Sequence, residues 1–207
     1  MKRRIVSSGI IACLLIMGIK GFCQEEKSGA DVRAIPKVKF NAAGELEIMP
    51  SPTSSPNDFD FYVGAWKVHN LRQKKTNDGK ITWIEFEATS TMNKMLRGLG
   101  NIDYFAADIE GKPIEGMTLR LFDPKKKLWS IYWASSNDGV LGMPPVVGSF
   151  ENKVGYFFSQ DIYEGASIIT VYRWDARDAG KPVWSQTYSE DNGQTWKEWN
   201  WVMHMSK

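Results

Sequence analysis

The chain has 207 residues, 43% hydrophobic and 24% charged, and its formal net charge of +2 comes from four Lys and Arg in the first 23 residues. Beyond residue 23 there are 22 basic against 24 acidic side chains, a balance of −2, which argues against the concentrated basic surface that nucleic-acid binding needs. Both cysteines, Cys13 and Cys23, lie in the same opening stretch, so the remainder holds no disulfide and offers no thiol chemistry.

That stretch reads as a signal peptide, residues 1–23. Lys2, Arg3 and Arg4 precede the apolar run Ile10–Ile19, and Gly21 and Cys23 supply small residues before Gln24. A periplasmic or secreted protein is expected, with no membrane insertion after cleavage. Lipid attachment at Cys23 is the weaker reading, because Phe22 is bulky and Lys20 interrupts the apolar run. Residues 24–57 read as a Pro/Ser-rich linker. Met49–Pro56 holds three prolines and three serines, which favour extended chain without a core. Val38–Phe40 and Glu45–Met49, around Asn41-Ala-Ala-Gly44, predict an accessory hairpin.

Residues 58–207 form one domain. Ile81–Met92, Met117–Phe122, Leu128–Ala134, Gly155–Gln160, Ile168–Trp174, Val183–Tyr188 and Trp196–Met205 carry period-two patterns rich in aromatic and β-branched residues. Asp123–Lys127, Glu151–Lys153 and Asp175–Pro182 read as turns between them. Thr91–Leu99 is the best helix candidate, and a poor one. The fold class is all-β, an antiparallel up-and-down barrel, because closure removes the exposed edges of a sheet.

Gly64-Ala-Trp66 opens the first barrel strand, with the glycine bending the backbone and the indole plugging one end. At the start of a strand-rich domain this points to a calycin or lipocalin-like barrel. Ser189-x-Asp191-x-Gly193-x-Thr195-Trp196 resembles the Asp-box hairpin of sialidase propeller blades. One copy cannot make a propeller, so the motif predicts a local turn in which Asp191 accepts backbone N–H groups and Gly193 takes a positive φ.

The nine tryptophans suggest an aromatic interior. Trp133, Trp174, Trp184 and Trp201 are expected to wall a pocket, with Arg173 and Gln186 as orienting polar contacts, since polar residues inside apolar strands face water or reach a cavity. Arg120 shares a phase with Thr118 and Phe122 and is ambiguous. In the last strand Trp199, Trp201, Met203 and Met205 form the apolar phase, which places His204 outward; His69 is outward too if Trp66 points in. Glu85 and Glu87 share a face with Trp83, read as solvated. No metal site, no cofactor and no catalytic constellation is implied; haem held by His204 is a lesser alternative.

Asp58-Phe-Asp-Phe-Tyr-Val-Gly-Ala-Trp66, Leu119-Arg-Leu-Phe-Asp-Pro124, Trp129-Ser-Ile-Tyr-Trp133, Val147-Gly-Ser-Phe-Glu151, Trp184-Ser-Gln186, Asp191-Asn-Gly-Gln-Thr-Trp196 and Asn200-Trp-Val-Met203 together resemble a bacterial domain-of-unknown-function family common in exported proteins. The resemblance implies a calycin-like barrel and carries no activity or site. The expected partner is a small, largely apolar or aromatic molecule bound in the barrel. The rival expectation is an isomerase- or cyclase-like enzyme using one acid–base group, Asp103, Glu85 or His204.

Overall fold

The computed structural model describes residues 30–207; the expected leader, with Cys13 and Cys23, lies outside the described residues. Twelve strands follow in order among the described residues. A small hairpin, β1 (Lys39–Phe40) and β2 (Leu46–Glu47), precedes β3 (Gly64–Lys75), β4 (Ile81–Met95), β5 (Gly100–Ile109), β6 (Lys112–Asp123), β7 (Leu128–Ser135), β8 (Val146–Glu151), β9 (Val154–Tyr163), β10 (Ala166–Asp175), β11 (Val183–Ser189) and β12 (Trp201–Ser206). Strands β3 to β12 pair antiparallel in sequence order, and β12 returns to β3 to close a ten-stranded barrel. No helix among the described residues is long and apolar enough to cross a membrane.

Local chemistry explains the connections. Glu110–Gly111, Asn152–Lys153 and Glu164–Gly165 each place two successive residues at positive φ, the backbone twist that matches a two-residue hairpin. The Asp123 carboxylate accepts from Lys125 N and Lys126 N at 2.9 and 3.0 Å, which fixes the lysine-rich turn. Around the Asp-box, Asp191 accepts from Thr195 N at 2.8 Å and Gly193 sits at φ 78°. The hydrogen bonds to Thr195 and Ser189 lower the Asp191 pKa to about 2.

Alternation divides the side chains into two clusters. Trp66, Val68, Phe86, Phe105, Phe122, Trp129, Phe157, Trp174 and Met205 belong to the inner one. Leu71, Phe158, Ile169, Val171 and Val202 form an outer one on β3, β9, β10 and β12, together with Ile35, Phe40, Leu46 and Ile48 from the chain before the barrel. Residues 30–57 therefore differ from the expected coreless linker. The proline-rich stretch turns at Pro52–Thr53, where Ser54 N donates to Ser51 O at 3.2 Å, and is tied to the barrel by Ser51 N donating to Ser149 Oγ at 2.9 Å; the apolar residues upstream of it cover a face of the barrel that would otherwise expose aliphatic side chains to water. The expected hairpin is present, shorter than its sequence pattern. A Cβ at Gly193 would lie 2.3 Å from Val38, so the Asp-box turn also receives this arm.

Two boundaries moved. Strand β4 runs through the poor helix candidate to Met95, and Leu96–Gly98 form a short 3₁₀ turn. The last strand begins at Trp201 rather than Trp196, because Thr187 Oγ1 donates to the carbonyls of Lys197 and Glu198 and holds that segment in irregular backbone. Trp199 consequently joins the outer cluster, its indole N–H donating to Ala30 O, and does not share the inward phase of Trp201.

Candidate functional site: a hollow in the mouth half of the barrel

The two ends of the barrel are built differently. The end reached by the β4–β5, β6–β7 and β8–β9 connections is closed by the chain that leads into β3. The Asp60–Tyr62 3₁₀ turn and its neighbour Phe59 enter the barrel there. Phe59 lies edge-on to Trp129 and Phe150, each at 5.0 Å, and to Trp174 at 5.9 Å. Tyr62 stacks on Trp66 at 5.7 Å, whose indole N–H donates to Tyr62 O at 2.7 Å. The expected tryptophan plug is therefore one part of a larger aromatic stopper. Asp58 anchors it, accepting from Ser54 Oγ, Ser55 N and Trp129 Nε1 at 2.7, 3.0 and 3.1 Å.

Toward the opposite end the aromatic filling stops and a cavity of about 250 Å³ remains. Its wall follows from strand register. Tyr172 faces Gln186, Gln186 faces Trp201, and Trp201 faces Arg72, so these four side chains form one tier across β10, β11, β12 and β3. Below them Trp174 pairs with Trp184, and Trp184 with Met203. The rings touch in sequence, Tyr172 to Trp184 at 5.1 Å and Trp184 to Trp201 at 5.6 Å with perpendicular planes. Trp201 Nε1 donates to Asn70 Oδ1 at 3.0 Å, and the Arg72 guanidinium lies 4.4 Å from the Trp201 ring centre. On the far wall Trp133 crosses Gly116, where a Cβ would lie 1.9 Å from the indole.

The polar contribution at the cavity's base is an ion pair. Asp103 on β5 and Arg120 on β6 are both almost fully buried and in direct contact through Arg120 Nη1. The same nitrogen donates to Asn101 Oδ1 at 3.1 Å, while Thr118 and Ser90 hydroxyls reach Asp103 Oδ2 at 3.3 and 3.4 Å. The guanidinium carbon lies 5.0 Å from the Phe59 ring centre and 5.7 Å from those of Tyr62 and Trp174. Arg120 Nε is buried without a hydrogen-bond partner among the described residues. Burial and then the Asp103 charge raise the Tyr62 pKa strongly; burial, with Asp161 next, raises that of Tyr172 to about 12. Both phenols are neutral donors and acceptors at neutral pH.

Trp133, Trp174, Trp184, Gln186 and Trp201 all line this cavity; Arg173 does not. Arg173 takes the opposite phase to Trp174, as neighbours on a strand must, and lies outside the barrel. It donates to Asp175 at 2.6 Å and to Tyr156 Oη at 3.3 Å. Burial alone would raise the Asp175 pKa, but hydrogen bonds from Arg177 and Arg173 hold it well below the usual carboxylate range. The expectation that Arg173 reaches the pocket is thus corrected, and Arg120 supplies the interior guanidinium. Its signal was available: Arg120 shares its phase with Phe122, and Asp103 with Phe105.

His204 follows Val202 on the outer face, next to His69 across the strand pair, and its Nε2 is buried without a partner among the described residues. Glu87 also faces out, 2.6 Å from His69 Nδ1. Among the described residues no group of three or more His, Cys, Asp or Glu is placed to hold a metal ion.

Closed antiparallel strands, an aromatic stopper at one end and a hollow at the other define a calycin-type, lipocalin-like barrel. The chain is similar in fold to an S-type phycobiliprotein lyase from Guillardia theta, with a TM-score of 0.50 and 9% identity over 75% of this chain and 93% of that one. At that identity the likeness concerns the fold alone. No family model and no curated protein matches the sequence.

Proposed function

We propose that this protein is an exported barrel that takes one small, largely apolar molecule into the mouth half of its interior. The observation that carries the reading is the unfilled space of about 250 Å³ walled by Trp174, Trp184 and Trp201. An empty space leaves its lining without dispersion partners on one side. Ligand pockets usually enclose roughly 300–1,000 Å³, and a cavity of roughly 150 Å³ suffices for benzene. The size here suits one or two fused rings. The neighbouring lyase supports the barrel fold and does not supply the ligand. Membership of the bacterial exported family rests on the quoted motifs.

Calorimetric titration with benzene- and naphthalene-sized compounds, alongside tryptophan emission, tests the reading. One-to-one binding with a shift in emission is expected. Silence across the series at millimolar concentration overturns it. Export is tested by N-terminal sequencing of protein recovered outside the cytoplasm. Gln24 is the expected first residue; a retained Met1 overturns cleavage, and a lipid-modified Cys23 overturns the soluble form.

The buried Asp103 carboxylate beside the cavity favours a second reading, acid–base catalysis on an apolar substrate. Its oxygens already accept from Arg120, Thr118 and Ser90, which engages three of the roughly four lone-pair sites of a carboxylate. Turnover abolished by Asp103→Asn with ligand affinity retained would move the assignment to an enzyme.

A further inference from the structure

We infer that the ligand is an aromatic anion that enters ring-first, with its acid group held at the mouth by Arg72. The inference rests on the binding reading above and adds the ligand's charge and orientation.

The base of the cavity carries no net charge, although Arg120 Nε is a donor without a partner among the described residues. Arg120 and Asp103 neutralise each other, Arg120 Nη1 is shared between Asp103 and Asn101, and three aromatic rings surround the guanidinium. An acid pushed to that depth would lose its hydration and meet the Asp103 carboxylate, a like charge at close range in a water-poor site. The base therefore accepts an uncharged end. Aromatic carbon satisfies it through the faces and edges of Trp174, Trp184 and Tyr172.

The mouth differs. Arg72 is exposed at the rim, and among the described residues it makes no ion pair; its recorded partner is the Trp201 ring. Lys74, two residues further along the same strand face, is already paired with Glu110. The guanidinium fork is thus uncommitted, lies over an indole that also lines the cavity, and matches a carboxylate in shape. Gln186 lies in the same tier on the far side of Trp201, its amide nitrogen donating to Asn200 Oδ1 at 3.3 Å. The acid Asp161 stands on β9, four strands away from Arg72, in an adjoining recess with Ser159 and Thr170 that shares Ile131, Trp133 and Tyr172 with the cavity. The net charge along the Trp184–Trp201–Arg72 wall is positive.

The test is calorimetric titration of the purified protein with three probes of one shape: 2-naphthoate, 2-naphthol and 2-(aminomethyl)naphthalene at pH 7. The naphthoate is expected to bind about tenfold more tightly than the amine, with the naphthol between them. Arg72→Gln should weaken the naphthoate about tenfold and leave the naphthol within twofold, while Arg72→Lys restores most of the loss. Raising salt should weaken the naphthoate alone. Naphthoate affinity unchanged by Arg72→Gln, or a preference for the amine, overturns the inference while leaving the binding reading intact. Failure of all three probes sinks the binding reading, and this inference with it. Because Arg72 is exposed at the rim, an unaltered melting curve separates lost binding from lost fold.

Discussion

The closed half and the mouth half of this barrel use the same residue types to opposite ends. In the closed half Phe59, Trp129, Phe150 and Phe157 are buried to 4% exposure or less and interlock edge to face. In the mouth half Trp133, Trp184 and Trp201 line a space they do not fill. An aromatic-rich interior is therefore not in itself the sign of a pocket. What separates the halves, among the described residues, is the chain leading into β3, which brings the rings of Phe59, Phe61 and Tyr62 to one end only.

The contrast can be broken most severely through the ion pair that lies at the boundary. Asp103→Ala leaves Arg120 buried without its counter-charge and is expected to cost about 3–5 kcal/mol. Denaturant unfolding would show it, and the double change Asp103→Ala with Arg120→Met should recover most of the loss. Phe59→Ala empties the solid half and is expected to cost about 3–4 kcal/mol, and should create a second probe-binding space. Trp184→Ala removes a larger side chain from the hollow half, yet its cost should stay below about 3 kcal/mol, since one side of the ring lacks packing partners already. Equal costs for Phe59→Ala and Trp184→Ala would erase the distinction drawn here. A smaller effect is expected at Gly116→Ala, where the new Cβ displaces the Trp133 indole; a weakened probe affinity with a loss of about 1 kcal/mol is expected.

The smallest effect lies outside both halves. Asp191 has a folded pKa of about 2 against an ordinary value of 3.8, chiefly through Thr195. Because the folded value is the lower one, its contribution is present above about pH 4 and disappears as pH falls toward 2. Acid unfolding of Asp191→Ala should be shallower across that window than that of the unchanged protein. Parallel curves would remove the Asp-box from the stability of the hairpin.

Much of this was legible before any coordinates. The alternation in β6, β7, β10 and β11 identified strands, and the Met–Trp phase of β12 put His204 outside. Five of the six proposed pocket residues lie on the cavity wall. The sixth was excluded by geometry already implicit in the sequence, since Arg173 and Trp174 are neighbours and cannot share a face. Arg120 remained ambiguous because a charged residue in an apolar phase needs a partner to be buried. That partner, Asp103, lies 17 residues away on another strand. Trp199 was misplaced because a β-like pattern continued into backbone that Thr187 holds irregular.

Taken by itself, the amino-acid order determined a β-domain with no cysteine beyond residue 23 and the set of residues sharing each strand face. It could do so because alternation and turn chemistry are local. The tertiary structure alone decided which face became the interior, that residues 30–57 pack against the barrel, and that the filling ends halfway along the axis. Empty volume belongs to no single residue; it is what remains when ten strands and an inserted segment have been placed together.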